Sequence, residues 1–321
     1  MSKKNQSTGA VKHKSVSYAK WGYIFIAPFF IVYILCSLVP QFLTIYYSFF
    51  EKYRKGLSEV GPNFVGLQNF VSLFKPDNNG TVVMIKYLGN TMIMWVLGAV
   101  PQFIVAILLA VWFTSARLKI KGQQFFKTVI YMPNLIMASA ISMLFYSVFN
   151  QAGPIGKLLN WNYETSTWGT WALVAGMNFL MWFGNTTIVL MAGIMGIDQS
   201  LFEAAAIDGA SSWKVFTKIT IPMLMPIVNY AFITALIGGI NMYDIPQVLT
   251  KGTGRPNNAA KTLIMQLSSY MGTSKNYGMG GALSVLIFIF SMVLSLFVYS
   301  FIAKQYQNEP SMYKKPKKGG R

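Results

Sequence analysis

The chain has 321 residues, of which 54% are hydrophobic and 11% are charged. A soluble domain normally has about a quarter of its residues charged, so this composition indicates a membrane protein. The formal net charge of +18 comes from Lys and Arg residues that lie between long uncharged runs. That arrangement is typical of charges that set membrane topology, so we expect no nucleic-acid partner.

The residue types that carry chemistry are scarce. Cys36 is the only cysteine and His13 the only histidine, and the chain has nine Asp and Glu residues. These numbers exclude a disulfide framework within the chain and disfavour metal or general acid-base catalysis. The chain also has no phosphate-binding loop of the G-x-x-x-x-G-K-[ST] type. We therefore predict a protein that is not an enzyme and holds no cofactor.

Residues 1–20 are polar and basic, which predicts a flexible arm. The next run, 21–50, has 30 uncharged residues, which is too long for a signal-peptide core and long enough to span a bilayer. Pro28 and Pro40 mark kinks or boundaries in this first span. A polar segment follows at 51–86.

Five more apolar runs without formal charge follow, which predicts six transmembrane helices and an all-α membrane protein. The membrane domain is expected at 21–303, and the basic stretch 304–321 is expected to be a flexible tail. The predicted spans after the first are 87–116, 128–150, 167–197, 219–243 and 276–303.

A polar segment at 198–222 interrupts the second half of the chain. It contains Glu203-Ala204-Ala205, then Gly209, then Ile219-Thr220-Ile221-Pro222. Three consecutive alanines favour a helix, and Asp208-Gly209 can end it because Gly accepts a left-handed backbone. A second helix is predicted from Ser211 or Ser212 to Pro222, where the chain re-enters the bilayer.

This segment resembles the EAA loop of bacterial ABC-importer permeases, which has Glu-Ala-Ala, three residues, Gly, nine residues and Ile-x-Leu-Pro. The chain matches every position except Leu, which is Ile221 here. The resemblance implies the type I permease fold of ABC importers, with cytoplasmic coupling helices that dock on an ATPase subunit. The coupling residues that it implies are Glu203, Ala204, Ala205, Asp208, Gly209, Ala210 and Pro222.

Two further segments resemble elements of the carbohydrate permeases, which include the maltose and multiple-sugar importers. Residues 64–70 match F-x-G-L-x-N-F, which follows the first span in those proteins. Residues 249–256 resemble the turn L-T-x-G-G-P, but Thr253 replaces a Gly and Arg255 precedes the Pro. These departures leave the sugar undefined.

The distribution of basic residues predicts the orientation. Six spans place both termini on one side, together with the link at 117–127 and the segment 198–222. That side then has 17 Lys and Arg residues, against 10 on the other side. By the positive-inside rule, we expect both termini and the EAA-like loop in the cytoplasm of a bacterial cell.

Polar residues within the spans are candidates for substrate contact, because an amide facing lipid is costly. Asn178, Trp182 and Asn185 lie at i, i+4 and i+7 and share one helical face. In the similar maltose-type permeases, the spans before and after the EAA loop contact sugar, which adds Gly239, Asn241 and Tyr243. The alternative is that the Asn residues join neighbouring helices.

The resemblance implies several partners: a second permease chain, two ATPase subunits that bind ATP and Mg, and an external solute-binding protein. It implies an oligosaccharide as substrate, with a polyol or glycerol phosphate as alternatives. An ion-coupled transporter is a further alternative, but the spans are almost devoid of carboxylates and only Asp244 lies at a span edge.

Overall fold

The computed structural model of the protein describes residues 19–76, 80–115 and 121–307. Most of the predicted arm at 1–20, part of the basic link at 117–127 and most of the predicted tail at 304–321 lie outside the described residues. In chain order the elements are α1 (Ala19–Tyr33), α2 (Val39–Ser48), β1 (Phe50–Lys55), β2 (Ser58–Phe64), α3 (Gln68–Leu73), α4 (Val83–Thr114), α5 (Gln123–Leu135), α6 (Ala138–Phe149), α7 (Pro154–Leu158), α8 (Thr167–Met195), α9 (Gln199–Ile207), α10 (Ser212–Val215), α11 (Ile221–Ile240), α12 (Asp244–Leu249), α13 (Leu263–Met271) and α14 (Tyr277–Gln307).

Five helical segments of the described chain are long and apolar enough to cross a membrane. They are Lys20–Ser48, Val83–Thr114, Thr167–Met195, Ser212–Leu249 and Tyr277–Phe301. Each overlaps one of the predicted spans. A sixth crossing exists if the bent pair of α5 and α6 counts as one span.

The predicted third span at 128–150 is not one straight helix but falls within a bent pair of helices. The segments Gln123–Leu135 and Ala138–Leu158 meet at an angle of 90°. Pro133 lies in the last turn of α5, where its ring removes a backbone donor, and Ile136 and Met137 then adopt extended conformations. Tertiary contact stabilises the break, since the Asn134 side chain donates a 3.1 Å hydrogen bond to the Met181 carbonyl of α8.

Pro40, predicted as a kink or boundary, and Pro222, predicted to end the helix before it, both lie inside continuous helical segments. A π-helical turn at Ile34–Leu38 ends two residues before Pro40, and another at Phe216–Thr220 ends two residues before Pro222. The N–H that precedes each proline bonds the carbonyl five residues back. These wider turns carry the helix past a residue that lacks a backbone donor. The helix that begins at α10 therefore continues into α11 without the break predicted at Pro222.

The polar segment after the first span contains an antiparallel hairpin of β1 and β2, which the sequence did not predict. The F-x-G-L-x-N-F element explains how it is attached. The Asn69 side chain donates hydrogen bonds to the carbonyls of Ser48, at 2.9 Å, and Phe50, at 3.0 Å. Asn69 thus holds the end of α2 against the start of β1.

Loop contacts define two ends of the bundle. The hairpin end contains β1, β2 and the loops before α4, α8 and α14. Backbone and side-chain bonds join these loops: Arg54 N to Lys275 O at 3.1 Å, Asn90 to Asn258 O at 2.8 Å, and Tyr163 OH to Leu249 O at 3.1 Å. The opposite end contains α9 and α10 and is called the coupling-loop end.

Glycine allows the closest helix contacts in the bundle. Helices α4 and α8 pack along much of their lengths, and a Cβ at Gly98 would lie 2.9 Å from the carbonyl oxygen of Ala175. Helix α5 crosses α8 at Gly184, where a Cβ would overlap the carbonyl oxygen of Ile130. Small residues allow this approach in membranes, where apolar side chains gain little by leaving lipid.

We expect Gly184→Ala to lower the free energy of unfolding by about 1–3 kcal/mol, because α5 must move away from α8. The control is Gly176→Ala on the same helix, where a Cβ would have no atom within 4 Å. Thermal unfolding of the purified protein in detergent measures both changes. Equal melting temperatures for the two variants would contradict the close contact.

Candidate functional site

A cavity of about 320 Å³ opens between α4, α8 and α11. Aromatic, amide, hydroxyl and small apolar residues line it, and none of the described lining residues is an Asp, Glu, Lys, Arg or His. The lining residues are Trp95, Gln102, Asn178, Trp182, Asn185, Thr186, Val189, Tyr230, Ala231, Thr234, Ala235, Gly238 and Gly239.

The wall formed by α8 carries the three residues that the helical spacing placed on one face. Asn178, Trp182 and Asn185 all line the cavity, and the Trp182 side chain is 45% exposed. Within the described chain, neither amide makes a side-chain hydrogen bond. Both amides are therefore available to a ligand, with an indole between them along the helix.

Hydrogen bonds connect α4 to the other two helices that line the cavity. The Trp95 indole donates a 2.9 Å hydrogen bond to the carbonyl of Ala235, and the Gln102 amide donates a 2.8 Å bond to the Thr186 hydroxyl. Gly239 lies directly against the indole, since a Cβ there would overlap the ring of Trp95. Gly239 thus lines the cavity and also makes room for Trp95.

Two of the predicted contact residues do not line the cavity. Helix α11 ends at Ile240, so Asn241 and Tyr243 lie in the turn that leads to α12. Asn241 is exposed and its side chain donates back to the Ile237 carbonyl, while the Tyr243 hydroxyl lies 3.1 Å from the Ser268 hydroxyl.

Residues on α4 and α11 that were not predicted from the sequence also line the cavity. Trp95 and Gln102 are seven residues apart and therefore share a face of α4, and Tyr230 and Thr234 share a face of α11. The sequence shows these polar and aromatic side chains at helical spacing. That they line a cavity could be inferred only from the packing of α4 beside α8.

At the coupling-loop end, residues next to α9 cap both ends of this helix. The Asp198 carboxylate accepts a 2.9 Å bond from the Ser200 N–H, and the hydrogen bonds from Ser200 hold the pKa of Asp198 below its ordinary value. Gly209 has φ of +67°, and Ala210 N bonds Ala205 O at 2.9 Å in a Schellman motif. The predicted helix end at Asp208-Gly209 matches this geometry.

Ser211 caps α10, because its hydroxyl accepts a hydrogen bond from Lys214 N. The loop therefore consists of two short helices with a glycine turn between them. Of the predicted coupling residues, Ala205 is buried, Ala210 and Pro222 are half-buried, and the remainder, Glu203, Ala204, Asp208 and Gly209, are exposed. The loop also exposes two large apolar side chains that the sequence analysis did not name, Ile207 at 87% and Trp213 at 71%.

The family profile described as "Binding-protein-dependent transport system inner membrane component" matches residues 89–308. This match covers more than half of the chain. The chain belongs to that family. It is therefore a membrane subunit of a transport system and a multi-pass membrane protein, and the family-level resemblance of the EAA-like loop is confirmed.

Similar proteins match most of the length of this permease. It is 29% identical over 282 residues to the multiple sugar-binding transport system permease protein MsmF of Streptococcus mutans. The alignment covers 86% of this chain and 93% of that protein. It is 29% identical over 256 residues to the lactose transport system permease protein LacF of Rhizobium radiobacter, covering 77% of this chain and 81% of the relative.

A solved structure shares the fold. A chain of a bacterial ABC transporter involved in the import of the acidic polysaccharide alginate superimposes with a TM-score of 0.71 at 20% identity, covering 89% of this permease and 96% of that chain. The predicted helical type I permease fold is thus confirmed, and the β1–β2 hairpin is an addition to the predicted all-α architecture.

We expect Gly239→Ala to displace the Trp95 indole and break its bond to Ala235, which lowers the free energy of unfolding by about 1–3 kcal/mol. Gly238→Ala is the matched control, because no atom lies within 4 Å of a Cβ at that position. In a helix interior, the control change favours the helix by up to ~1 kcal/mol. A Gly239→Ala variant that melts at or above the temperature of Gly238→Ala would disprove the contact.

Proposed function

We propose that this permease forms part of the translocation path of an ATP-driven importer of neutral carbohydrate. The observation that carries the proposal is the uncharged cavity between α4, α8 and α11. Its aromatic side chains suit the apolar face of a sugar ring, and its amides and hydroxyls suit ring hydroxyls. The amides of Asn178 and Asn185 are available for such bonds.

The cavity chemistry favours this substrate over the alternatives. Glycerol phosphate carries a charge that a cation or helix N-terminus normally stabilises, and no basic side chain occurs among the described residues that line the cavity. A linear polyol has no flat ring face for Trp95 or Trp182. The names of the relatives, which refer to multiple sugars and lactose, support a carbohydrate.

Ion-coupled transport is the other alternative, and it requires ionisable groups along the path. Among the described candidate spans, Asp244 is the one acidic residue, and it begins α12 beyond the end of α11. The described lining of the cavity has no carboxylate either. The site therefore offers no acidic side chain that could carry a coupling proton.

The energy source in this proposal is a pair of ATPase subunits that bind ATP and Mg. The coupling-loop end faces the cytoplasm, both termini are cytoplasmic, and α9 and α10 dock on an ATPase subunit through the exposed Ile207, Gly209 and Trp213. A second permease chain completes the path, and an external solute-binding protein delivers the sugar to the hairpin end in a bacterial cell membrane.

We expect Trp182→Ala to raise the KM for uptake of a neutral oligosaccharide by about tenfold, equivalent to ~1.4 kcal/mol. The reason is the loss of ring stacking while the complex still assembles. Trp112→Ala on α4 is the control, since Trp112 is exposed and does not line the cavity. Uptake by proteoliposomes is measured with neutral oligosaccharides, oligogalacturonate and glycerol 3-phosphate. Uptake of only the anionic compounds would overturn the proposal of a neutral substrate. An unchanged KM in Trp182→Ala would show that Trp182 packs against its neighbours and does not bind substrate.

We expect Gly209→Asp to leave the permease inserted but to abolish transport-coupled ATP hydrolysis. Among the described residues, no atom lies within 4 Å of a Cβ at Gly209, so we expect any obstruction to fall on the docking partner. The left-handed backbone adds about 1–2 kcal/mol of strain for a residue with a side chain. Gly196→Asp is the control, because Gly196 has φ of −83° and ordinary contacts. If Gly209→Asp kept full ATPase stimulation, the docking role of Gly209 would be wrong.

A further inference from the structure

The first strand of the hairpin lies across the ends of two membrane-spanning segments. Strand β1 follows the last turn of α2 and packs against the first turn of α14, where a Cβ at Gly278 would overlap the carbonyl oxygen of Phe50. The backbone N–H of Arg54 also donates a 3.1 Å hydrogen bond to the carbonyl of Lys275, just before α14. The residues of β1 are therefore held at the level where both helices leave the membrane.

Two cations of β1 share one side of the strand. The register shift of the hairpin lies in β2, which has two residues where β1 has Lys52 alone. Side chains along β1 therefore keep the alternation of a regular strand, and Lys52 and Arg54 lie on the same side. That side faces the helix ends, since the Lys52 ammonium lies 4.4 Å from the ring centroid of Tyr47 and 5.9 Å from that of Tyr277.

The two tyrosines place the Lys52 ammonium at the membrane surface. Tyr47 belongs to the last turn of α2, and Tyr277 begins α14. Tyrosine side chains at the ends of membrane spans normally lie at the level of the lipid headgroups. Both spans are also open to lipid within this chain, because the apolar window of the first span is 0% buried and that of α14 is 22% buried. Acyl chains can therefore lie against the helices directly below the ammonium.

Carboxylates do not neutralise these cations. Among the described residues, neither Lys52 nor Arg54 forms an ion pair, although Glu59 lies opposite Arg54 in the strand ladder. The Nε of Arg54 is buried and has no hydrogen-bond partner within the described chain. A buried donor without a partner is costly, and an anion would satisfy it. The exposed Lys275, which adjoins Arg54, adds a third positive charge.

We propose that Lys52, Arg54 and Lys275 form a site, called the headgroup site, for the phosphate of an anionic phospholipid. Guanidinium and ammonium groups make strong charge-assisted hydrogen bonds to phosphate, and basic residues at a membrane surface attract anionic lipid. The ring contacts fix the Lys52 ammonium without cancelling its charge, so little freedom is lost on binding. The ligand is at hand, because the chain is a multi-pass membrane protein.

Topology does not account for these three cations. Under the proposed orientation the hairpin end faces away from the cytoplasm, where short loops normally contain few Lys and Arg residues. A phosphate ligand in the outer leaflet gives the cations a role that the positive-inside rule does not.

A bound phosphate would join the hairpin to the contact between α2 and α14. These helices approach closely at the hairpin end, where a Cβ at Gly281 would lie 2.9 Å from the carbonyl oxygen of Thr44. The phosphate would lie beside Tyr47 and Tyr277, at the ends of the same two helices. We therefore expect the lipid to stabilise the attachment of the first span to α14.

The test uses the complete transporter, purified in detergent and stripped of lipid. Dioleoyl phosphatidylglycerol and dioleoyl phosphatidylcholine, which differ in headgroup charge but not in acyl chains, are titrated separately, and native mass spectrometry counts the bound lipids. The variant is Lys52→Gln with Arg54→Gln. The matched control is Lys75→Gln with Lys157→Gln, which removes two exposed charges from the same end of the bundle but outside the headgroup site.

We expect the wild type to bind phosphatidylglycerol more tightly than phosphatidylcholine. The double Gln variant should bind phosphatidylglycerol about thirtyfold more weakly, since each basic residue near the headgroups contributes about a factor of five. The control variant should match the wild type. Equal wild-type affinity for the two lipids, or unchanged affinity in the double Gln variant, would overturn the proposal. An equal loss in the control variant would also overturn it, because the attraction would then belong to the whole surface.

Competition with inorganic phosphate distinguishes a lipid site from a site for free phosphate. Displacement of phosphatidylglycerol by equimolar inorganic phosphate would assign the cations to free phosphate and overturn the proposal. Persistence of the bound lipid supports it, because the acyl chains then contribute to binding.

Unstimulated ATPase activity and elution volume show whether the double Gln variant is intact. If it is not, single Lys52→Gln and Arg54→Gln variants replace it, and each should lose about fivefold in affinity for phosphatidylglycerol. Unchanged affinity in both single variants would overturn the proposal. Because lipid binding is measured without a transport substrate, failure of the headgroup site leaves the proposed carbohydrate transport unaffected, and the reverse also holds.

Discussion

Close packing of α4 against α8 and α11 is the constraint on which the cavity depends. In a bilayer, helices gain little by burying apolar side chains against one another, so their contacts rely on close fit and hydrogen bonds. Gly98 brings α4 against the Ala175 carbonyl of α8, and Gly239 makes room for the Trp95 indole between α4 and α11. Because these contacts fix the helix positions, the space between the helices has a defined lining.

The same helices link the cavity to the coupling-loop end. Helix α8 lines the cavity and leads into the Asp198 cap of α9, and α10 continues through a π-helical turn into α11, which also lines the cavity. The loop is thus attached to two cavity walls by short, hydrogen-bonded connections. A rigid displacement of α9 and α10 would therefore move the walls of α8 and α11, which is the kind of rigid-body transition by which access to a site changes sides.

Charge is distributed unevenly along this path. The cavity lining, as far as the structure describes it, has no charged side chain, while at the hairpin end lysines lie against aromatic rings and carbonyls. Electrostatic attraction thus acts at the surface of the bundle, and the interior relies on stacking and neutral hydrogen bonds. A neutral substrate that crosses this cavity would not meet a charged group that could retain it. Weak binding of this kind suits passage through the membrane.

The sequence by itself determined the membrane class, five of the six spans and the construction of the EAA-like loop. These features depend on local properties: apolar runs long enough for a bilayer, alanines that favour a helix, and a glycine that can adopt a left-handed conformation. The shared face of Asn178, Trp182 and Asn185 was also readable, because helical spacing fixes it.

Only the tertiary structure decided the bend at Pro133, the hairpin held by Asn69, and the contribution of Trp95 and Gln102 to the cavity. It also placed Asn241 and Tyr243 beyond the end of α11, away from the cavity lining. These outcomes depend on which helix lies next to which, and on where a helix stops relative to its neighbours. Both are set by contacts between residues far apart in the chain, which no local pattern of side chains records.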